Sequence, residues 1–302
     1  MTATPEAIDL RAYFSRVPLL RDADPARARR LGGLTNRNYL VGDFVVRIPG
    51  DGTSEYIDRP AEEVAARSAA AADVNAAVEF LDPADGLMVT RYVPGAVTMD
   101  AARFAADPGA IARAGQVIRQ LHTSAAPFAT DFRLFKMIDH YRSLLASKGA
   151  TLPDGYGALV GRADDTRRLL EAAPVALVPS HCDPLCENFL DTGSRMYLID
   201  YEYAGNNDPM WDLADFSVEG GFTADQDEAL LHAYFGAPAS ASDAARMLAL
   251  KAMCDLLWTL WGVIQHVNAN PAEDFWAYAV RRFERCRALM QRPDYAARLA
   301  DI

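Results

Sequence analysis

Residues 175–203, VALVPSHCDPLCENFLDTGSRMYLIDYEY, predict one isolated β-hairpin within a stretch of sequence that is otherwise helical. Short apolar segments flank the turn DTGSR, which is typical of two strands joined by a tight connection. A hairpin returns to its starting point, so Asn188 before it and Asp200 at its end should lie side by side. Asp183 precedes Asn188 by five residues. Few folds bring three oxygen-bearing side chains together in this way.

The rest of the chain divides into a strand-rich part and a helix-rich part. Before Gly95 the patterns predict strands at residues 27–46, 77–81 and 87–93, with one alanine-rich helix that starts near Arg59. After Gly95 helical periodicity dominates. A chain of 302 residues also exceeds the size at which one core usually stops growing. We therefore expect an α+β protein of two lobes, with a ligand cleft between them.

The charge balance disfavours polyanionic partners. Lys and Arg number 30 against 41 Asp and Glu, which gives a formal charge of −11. Nucleic acids are held mainly by basic residues, so we expect no nucleic-acid partner. An acidic protein of this kind suits a cationic substrate.

The cysteines and the apolar segments predict a cytoplasmic protein without a membrane partner. Four scattered cysteines in a chain this long do not form a disulfide framework. The first residues lack a basic start followed by an apolar run, and no uninterrupted apolar stretch is long enough to cross a membrane. The sequence does not indicate an oligomeric state.

The order Asp183, Asn188, Asp200 matches the needs of phosphoryl transfer. This chemistry needs a carboxylate that accepts the proton of the attacking hydroxyl, and oxygen ligands for magnesium at the phosphates. Taken singly, an Asp or Asn near a turn is more often a capping residue. The three together, at this spacing, predict a catalytic base and two metal ligands.

With its flanking residues, the segment SHCDPLCENFLDTGSRMYLIDYE resembles the motif shared by choline kinases, aminoglycoside phosphotransferases and their relatives. Cys182 stands where an Asn is common, and His181 corresponds to a residue that braces the catalytic loop. The resemblance implies a bilobal protein-kinase-like fold, with a small β-rich nucleotide-binding lobe (1–93) and a larger helical lobe (94–302) that carries the hairpin. It also implies ATP and Mg²⁺ as cofactors, with Asp183 as the base.

The segment LGGLTNRNYLV is the candidate phosphate-binding loop. It lacks the pattern of a P-loop. The backbone amides of Gly32 and Gly33 can approach phosphate oxygens closely, and Thr35 and Asn36 can add donors. Taken alone, such a segment is more often a plain glycine turn.

Arg47, in FVVRIPG, occupies the place of the phosphate-binding Lys of protein kinases, and choline kinases resemble this chain in having Arg there. The segment DRPAEE resembles the helix that supplies its ion-pair partner and favours Glu62 over Glu63, although either side chain could reach. We therefore expect the nucleotide phosphates to meet Arg47 held by Glu62.

The segment MVTRYVPGA corresponds to the hinge between the lobes. The resemblance implies that backbone groups of Arg91, Tyr92 and Val93 meet the edge of the adenine. No side chain in this segment is diagnostic.

The segment DYEYAGNNDPMWDLADFSVEGGF resembles the choline kinase signature beyond the shared catalytic motif. Glu202 follows the metal-binding Asp200, and Asp212 opens a helix as a brace for the catalytic loop. Glu219 lies two helical turns after Asp212, where the family has an acidic residue near the substrate cation. Glu202 and Glu219 are thus candidate substrate residues.

Three aromatic residues complete the predicted substrate group: Trp258, Trp261 and Tyr278. They align with the choline-pocket aromatics of the family. A quaternary ammonium cannot donate a hydrogen bond, so proteins hold it against aromatic faces at about 0.5–2 kcal/mol each. Taken without the resemblance, two Trp three residues apart more often belong to a helix core. Ethanolamine, thiamine or an aminoglycoside as substrate, or a catalytically silent binding protein, remain alternatives.

Overall fold

The structure is a computed structural model that describes residues 8–32, 36–50 and 57–302. Its strands concentrate before residue 95 and its helices after it, which confirms the predicted α+β class. Gly33 and Thr35 of the predicted phosphate-binding loop lie outside the described residues.

The N-terminal strands form one antiparallel sheet with the order β1-β2-β3-β5-β4. Its strands are β1 (Arg29–Arg30), β2 (Arg37–Val41), β3 (Phe44–Ile48), β4 (Val78–Asp82) and β5 (Leu87–Arg91). A tight turn at Gly42 joins β2 to β3, and its φ of 57° is a conformation that glycine adopts without strain. Arg47 pairs with Asn38 on one side and Met88 on the other, so it lies inside the sheet.

Two helices cover this sheet, α1 (Leu10–Arg16) and α2 (Arg59–Ala71). The side chain of Asp58 accepts the amide hydrogen of Ala61 at 3.0 Å and starts α2. Small buried residues at helical spacing, including Ala65 and Ala69, let α2 pack closely. Glu62 lies on this buried face and is 2% exposed. The alanine-rich sequence thereby turns one carboxylate toward the sheet.

The remaining helices build the C-terminal part of the molecule. They are α3 (Ala101–Ala106), α4 (Pro108–Ser124), α5 (Leu134–Ser147), α6 (Tyr156–Ala172), α7 (Pro209–Gly220), α8 (Ala224–Phe235), α9 (Ala241–Val267), α10 (Phe275–Met290) and α11 (Tyr295–Leu299). Helix α9 runs through the core against α5, α7 and α10. At Gly262 a Cβ atom would lie 2.7 Å from the ring of Tyr278, so the missing side chain allows the close approach of α10.

Helix α9 is also long and apolar enough to cross a membrane by length and composition alone. Its apolar window is 89% buried inside the protein, as in the core helix of a globular fold. The apolar composition of α9 is therefore explained by its position in the protein core.

The predicted hairpin is formed by β8 (Phe189–Asp191) and β9 (Met196–Leu198). The prediction that it stands isolated is wrong, because β6 (Val97–Thr98) pairs with β8 in a three-stranded sheet. The segment VALVP also lies elsewhere. It supplies β7 (Val178–Ser180), which pairs with β10 (Gly205–Asn207) in a second small sheet. These pairings join segments distant in sequence, so local patterns did not show them.

The boundary between residues 93 and 94 remains our proposal for the division into lobes. Strand β5 has ended at Arg91, and Gly95 adopts a φ of 74° as the chain turns toward β6.

Candidate active site

Arg47 joins the N-terminal sheet to the end of the hairpin. Its side chain is buried and contacts Glu62 of α2 at 2.5 Å and Asp200 at 3.0 Å. It also donates to the carbonyl of Gly86 at 3.3 Å. Burial alone would lower the pKa of Arg47, but the charges of Glu62, Asp200 and Glu202 raise it. Arg47 is therefore a fixed positive charge at the junction.

The partner of Arg47 is Glu62, as the sequence predicted. Glu63 points away and contacts Arg67 at 2.9 Å, in a pair that is partly exposed. The second carboxylate oxygen of Glu62 contacts Arg59 at 2.7 Å. Two arginines thus hold Glu62 in one orientation.

Glu202, which the sequence predicted as a substrate residue, contacts residues of the N-terminal part of the chain. Its carboxylate accepts from the side chain of Asn36 at 3.2 Å and lies 3.6 Å from Arg59. Burial, followed by the charge of Asp200, raises the pKa of Glu202 to about 7. Glu202 therefore lies beside Asn36, the residue that precedes β2.

Oxygen ligands for a divalent cation gather at the end of the hairpin, although Glu62 itself is already held by Arg47 and Arg59. Three carboxylates have oxygens within 4.8 Å of one another: Glu62, Asp200 and Glu202. The amide of Ile199 donates to the carbonyl of Asn188 at 2.9 Å, which closes the hairpin and brings Asn188 beside Asp200. The side-chain NH₂ of Asn188 donates to the carbonyl of Asp183 at 3.0 Å, so its Oδ1 is directed elsewhere and can act as a ligand. Such oxygen ligands are the ones that Mg²⁺ prefers.

Asp183 lies in the loop between β7 and β8, and the residue as a whole is half-buried. Burial of the carboxyl, followed by the charges of Asp215, Glu219, Glu202 and Asp200, raises the pKa of Asp183 well above its usual range. A carboxyl group surrounded in this way is a strong proton acceptor once a cation balances the charge.

Asp212 braces the backbone of the catalytic loop, as predicted. One oxygen accepts from the amide of His181 at 2.7 Å and the other accepts from the amide of Cys182 at 2.9 Å. His122 donates to Asp212 at 3.0 Å and its other ring nitrogen contacts the hydroxyl of Tyr234 at 2.9 Å. Burial opposes ionisation, but the hydrogen bond from His122 and the nearby charges and amides hold the pKa of Asp212 below its usual value.

Two non-glycine residues of this region have left-handed backbone conformations, with φ of 67° at Cys182 and 72° at Asp200. Such conformations cost about 1–3 kcal/mol each and persist where surrounding contacts hold them. At Cys182 the carbonyl accepts from the indole of Trp211 at 3.1 Å. His181 bonds the carbonyl of Ile199 at 2.8 Å, which agrees with its predicted structural role. Both strained residues therefore lie in a densely hydrogen-bonded frame.

The predicted phosphate-binding loop connects β1 to β2. The carbonyl of Gly32 accepts from Asn38 at 3.0 Å, and a Cβ at Gly32 would meet no atom within 4 Å. Asn36 is 3% exposed, and its bond to Glu202 ties the loop to the segment after the hairpin.

In the predicted hinge, two of the three backbone amides already donate within the protein. The amide of Arg91 donates to Ala77 and that of Tyr92 to Asp43, both at 2.9 Å. Among the described residues, the amide of Val93 has no such bond. Of the three backbone amides predicted to meet the adenine, only that of Val93 is therefore available as a donor.

The aromatic residues of the predicted substrate group lie together. The rings of Trp258 and Trp261 meet edge to face at 5.9 Å, and Trp261 meets Tyr278 at 5.7 Å. Tyr203, which sequence reasoning missed, meets Trp258 at 6.0 Å. Its position directly after Glu202 is the signal that could have indicated it.

Glu219 contacts Arg282, another residue that sequence reasoning missed. Arg282 also donates to the hydroxyl of Tyr278 at 3.1 Å and to Asp255 at 3.2 Å. Its charge compensates Glu219 inside the protein. Nothing in the spacing of these residues indicated the pair, because it joins α7 to α10.

Asp215 is a third residue that the sequence did not single out. It is 0% exposed, and one carboxyl oxygen accepts from the thiol of Cys254 at 3.0 Å. Its Oδ2 has no hydrogen-bond partner among the described residues. Burial, followed by the charge of Glu219, raises the pKa of Asp215 well above its usual range. Asp215 precedes Glu219 by one helical turn, which is the spacing that could have indicated it.

Comparison with known proteins places this geometry in a family. The sequence model described as the phosphotransferase enzyme family matches residues 27–250. A crystal structure of a choline/ethanolamine kinase family protein from Mesorhizobium loti is 51% identical, covers 97% of each chain and has a TM-score of 0.91. The chain belongs to the choline/ethanolamine kinase family. It is a phosphotransferase with an alcohol group as acceptor, and its fold is protein-kinase-like as predicted.

More distant members of this kinase family share the same fold. The choline kinase LicA from Streptococcus pneumoniae is 27% identical, covers 87% of this chain and 92% of its own, and has a TM-score of 0.73. A structure of LicA in complex with AMP is 26% identical, covers 87% of this chain and 90% of its own, and has a TM-score of 0.72. The AMP complex shows that LicA, which has this fold, binds a nucleotide.

Proposed function

We propose that this kinase transfers the γ-phosphate of ATP, with Mg²⁺, to the hydroxyl of choline or a similar amino alcohol. The observation that carries the proposal is the closed hairpin. The bond from Ile199 to Asn188 at 2.9 Å and the contact of Asp200 with Arg47 at 3.0 Å bring the catalytic loop, the end of the hairpin and the N-terminal sheet to one place.

The nucleotide is expected to bind on the side of the N-terminal sheet. Arg47, fixed by Glu62, meets the phosphates, with the loop of Gly32, Gly33, Thr35 and Asn36 beside it. The adenine meets the carbonyl of Tyr92 and the amide of Val93. The LicA complex with AMP supports nucleotide binding by a protein of this fold. We now assign Glu202 to the nucleotide-binding part of the site, because it contacts Asn36 and Arg59.

Each polar residue then has a defined part in the reaction. Magnesium-ATP, when bound, supplies the transferable phosphoryl group and the metal charge that offsets its oxygens. Asn188 and Asp200 hold the metal through their side-chain oxygens. Asp183 orients the hydroxyl of the alcohol and takes its proton at the carboxylate. Arg47 stabilises the negative charge of the phosphates as the bond to the alcohol forms.

Glu62→Gln is expected to lower kcat/KM for ATP by about tenfold, because Arg47 loses the buried charge that orients it. KM for the alcohol should change far less. Steady-state kinetics at varied ATP measure both.

The matched control is Glu63→Gln, which removes a carboxylate from the neighbouring, partly exposed pair with Arg67. Its kinetics should remain those of the native protein, since exposed pairs contribute little. Equal effects of the two variants would contradict the assignment of Glu62.

The aromatic group favours choline among possible alcohols. Trp258, Trp261 and Tyr278 lie within 6 Å of a neighbouring ring in the group, and Tyr203 extends it. Aromatic faces attract a trimethylammonium group that cannot donate hydrogen bonds. LicA, a choline kinase, supports the same substrate. Ethanolamine, which carries N–H donors, should depend more on acidic residues than on these rings.

A substrate panel tests the proposed function. The protein with magnesium-ATP is incubated with choline, ethanolamine, thiamine and an aminoglycoside, and ADP release is followed for each. Choline should give the highest kcat/KM. Trp258→Ala should reduce turnover of choline more than that of ethanolamine. Equal losses on both alcohols would defeat the choline preference, and no ADP release with any alcohol would point to a silent binding protein.

We also propose a cytoplasmic location. The four cysteines are free and buried, which suits a reducing compartment.

A further inference from the structure

Two carboxyl groups of α7, Asp215 and Glu219, lie one helical turn apart beside Cys254 of α9. Their oxygens and the sulfur lie within 4.8 Å of one another. The family resemblance points to Glu219 as the group that meets the substrate cation. In this chain, however, Glu219 contacts the guanidinium of Arg282, which is 6% exposed. The charge of Glu219 is already compensated within the protein.

Asp215 is in a different position. Its Oδ1 accepts from Cys254 at 3.0 Å, while its Oδ2 is buried and has no hydrogen-bond partner among the described residues. A buried polar atom without a partner is rare and costly in a native protein. Oδ2 can therefore accept one further cation or donor.

Asp215 lies on α7, and this helix packs against the turn Cys186–Asn188 in the loop that carries Asp183. The charge of Asp215 also contributes to the raised pKa of Asp183. In an amino alcohol the nitrogen is only two carbons from the hydroxyl that meets Asp183. Cys254, bonded to Asp215, precedes Trp258 by one turn on the same helix face. Asp215 thus lies between the base and the aromatic group.

Building on the proposed amino-alcohol substrate, we propose that Asp215 neutralises the substrate's ammonium group and that Glu219 is a positioning residue that acts through Arg282. Arg282 carries this effect to the hydroxyl of Tyr278, to which it donates at 3.1 Å. The aromatic rings accept the carbon substituents of the cation. A cation bound beside Asp215 favours its ionised form and so offsets the burial that raises its pKa, which lets the carboxylate supply the opposite charge. An ammonium with an N–H gains a hydrogen bond to Oδ2 as well.

A metal ion is a less suitable occupant of the same group. The guanidinium of Arg282 touches Glu219 and repels a divalent cation. Burial and the nearby Asp215 also raise the pKa of the Cys254 thiol well above its usual value, so the thiolate that a metal needs is disfavoured. An organic monocation does not need a thiolate ligand, and Arg282 repels its single charge less than it repels a divalent ion.

The test compares choline with its neutral isostere 3,3-dimethylbutan-1-ol, in which carbon replaces nitrogen. The ratio of kcat/KM for the two alcohols measures recognition of the charge. In Asp215→Asn this ratio should fall roughly 30-fold, because a buried charge contact is lost while size and shape are kept. Glu219→Gln should lower the ratio much less and raise KM for both alcohols together.

An unchanged ratio in Asp215→Asn, or a larger fall in Glu219→Gln, would overturn the assignment. So would Zn²⁺ binding by the native protein in calorimetry that Asp215→Asn abolishes. If the Asn variant does not fold, the ratio of kcat/KM for the two alcohols is measured in Asp215→Ser, which also removes the charge. Native protein that phosphorylates no amino alcohol at all would refute the proposed function instead, which keeps the two failures distinct.

Discussion

Asp183→Asn is expected to lower kcat by roughly 1,000-fold, within the range that general-base catalysis supplies. Asn has nearly the same shape as Asp and still hydrogen-bonds the alcohol, but it cannot take the proton. KM for ATP should therefore stay close to the native value. Steady-state assay of ADP release with choline measures both constants.

The same substitution should leave the protein as stable as before or more stable. Burial and the charges of Asp215 and Glu219 raise the pKa of Asp183, so its ionised form is unfavourable in the folded state. Removing that charge relieves the repulsion. Urea titration measures the free energy of unfolding. If activity is lost while this free energy is equal to or higher than that of the native protein, the defect is catalytic and not a folding defect.

Glu187→Gln is the matched control for Asp183→Asn. Glu187 lies in the same loop, and its side chain is exposed. Its kinetics should be native. Asp183→Asn with more than one-tenth of native turnover would show that another group takes the proton.

The parts of this site that the sequence predicted are those set by local geometry. A tight turn after Asn188 forces the hairpin back on itself, so the neighbourhood of Asp200 follows from chain reach. The choice of Glu62 over Glu63 came from the resemblance of DRPAEE to the family helix, since helix geometry alone left both side chains within reach, and the structure pairs Glu62 with Arg47 at 2.5 Å. Local spacing was therefore sufficient for the hairpin but not for this ion pair.

The parts that the sequence missed depend on packing between distant elements. Arg282 meets Glu219 only because α10 packs near α7, and no spacing along the chain encodes that contact. The sequence assigned Glu202 to the substrate because Glu202 follows Asp200. In the structure the backbone at Asp200 is left-handed, with a φ of 72°, and the side chain of Glu202 contacts Asn36. Burial and partner identity are tertiary properties.

The loop that carries Asp183 is held by Asp212, whose hydrogen bonds go to the loop backbone and to His122, so Asp212→Asn should lower kcat by about 100-fold. The oxygens of Asp212 accept three N–H donors, from the amides of His181 and Cys182 and from the ring of His122. An Asn side chain has one oxygen, and its NH₂ would face at least one of these donors. The loop must then shift, and a displacement near 1 Å can cost about 100-fold in rate. Stability should fall by about 1–3 kcal/mol for the donor left unpaired.

Asp208→Asn separates the loop effect from general destabilisation. Asp208 starts the same helix, and its side chain pairs with Arg246 at 2.5 Å and accepts from the amide of Met210 at 2.9 Å. Among the described residues, this side chain has no hydrogen bond to the catalytic loop. The Asp208→Asn variant should lose stability, while its folded fraction keeps the native kcat.

The dependence of stability on pH gives a second readout for Asp212. The lowered pKa of Asp212 means that its charge stabilises the native fold above about pH 4 and that this contribution is lost as pH falls through the lowered pKa. The stability gap between native protein and Asp212→Asn should therefore narrow on acidification, and a gap that widens would show that Asp212 is not held as a buried carboxylate.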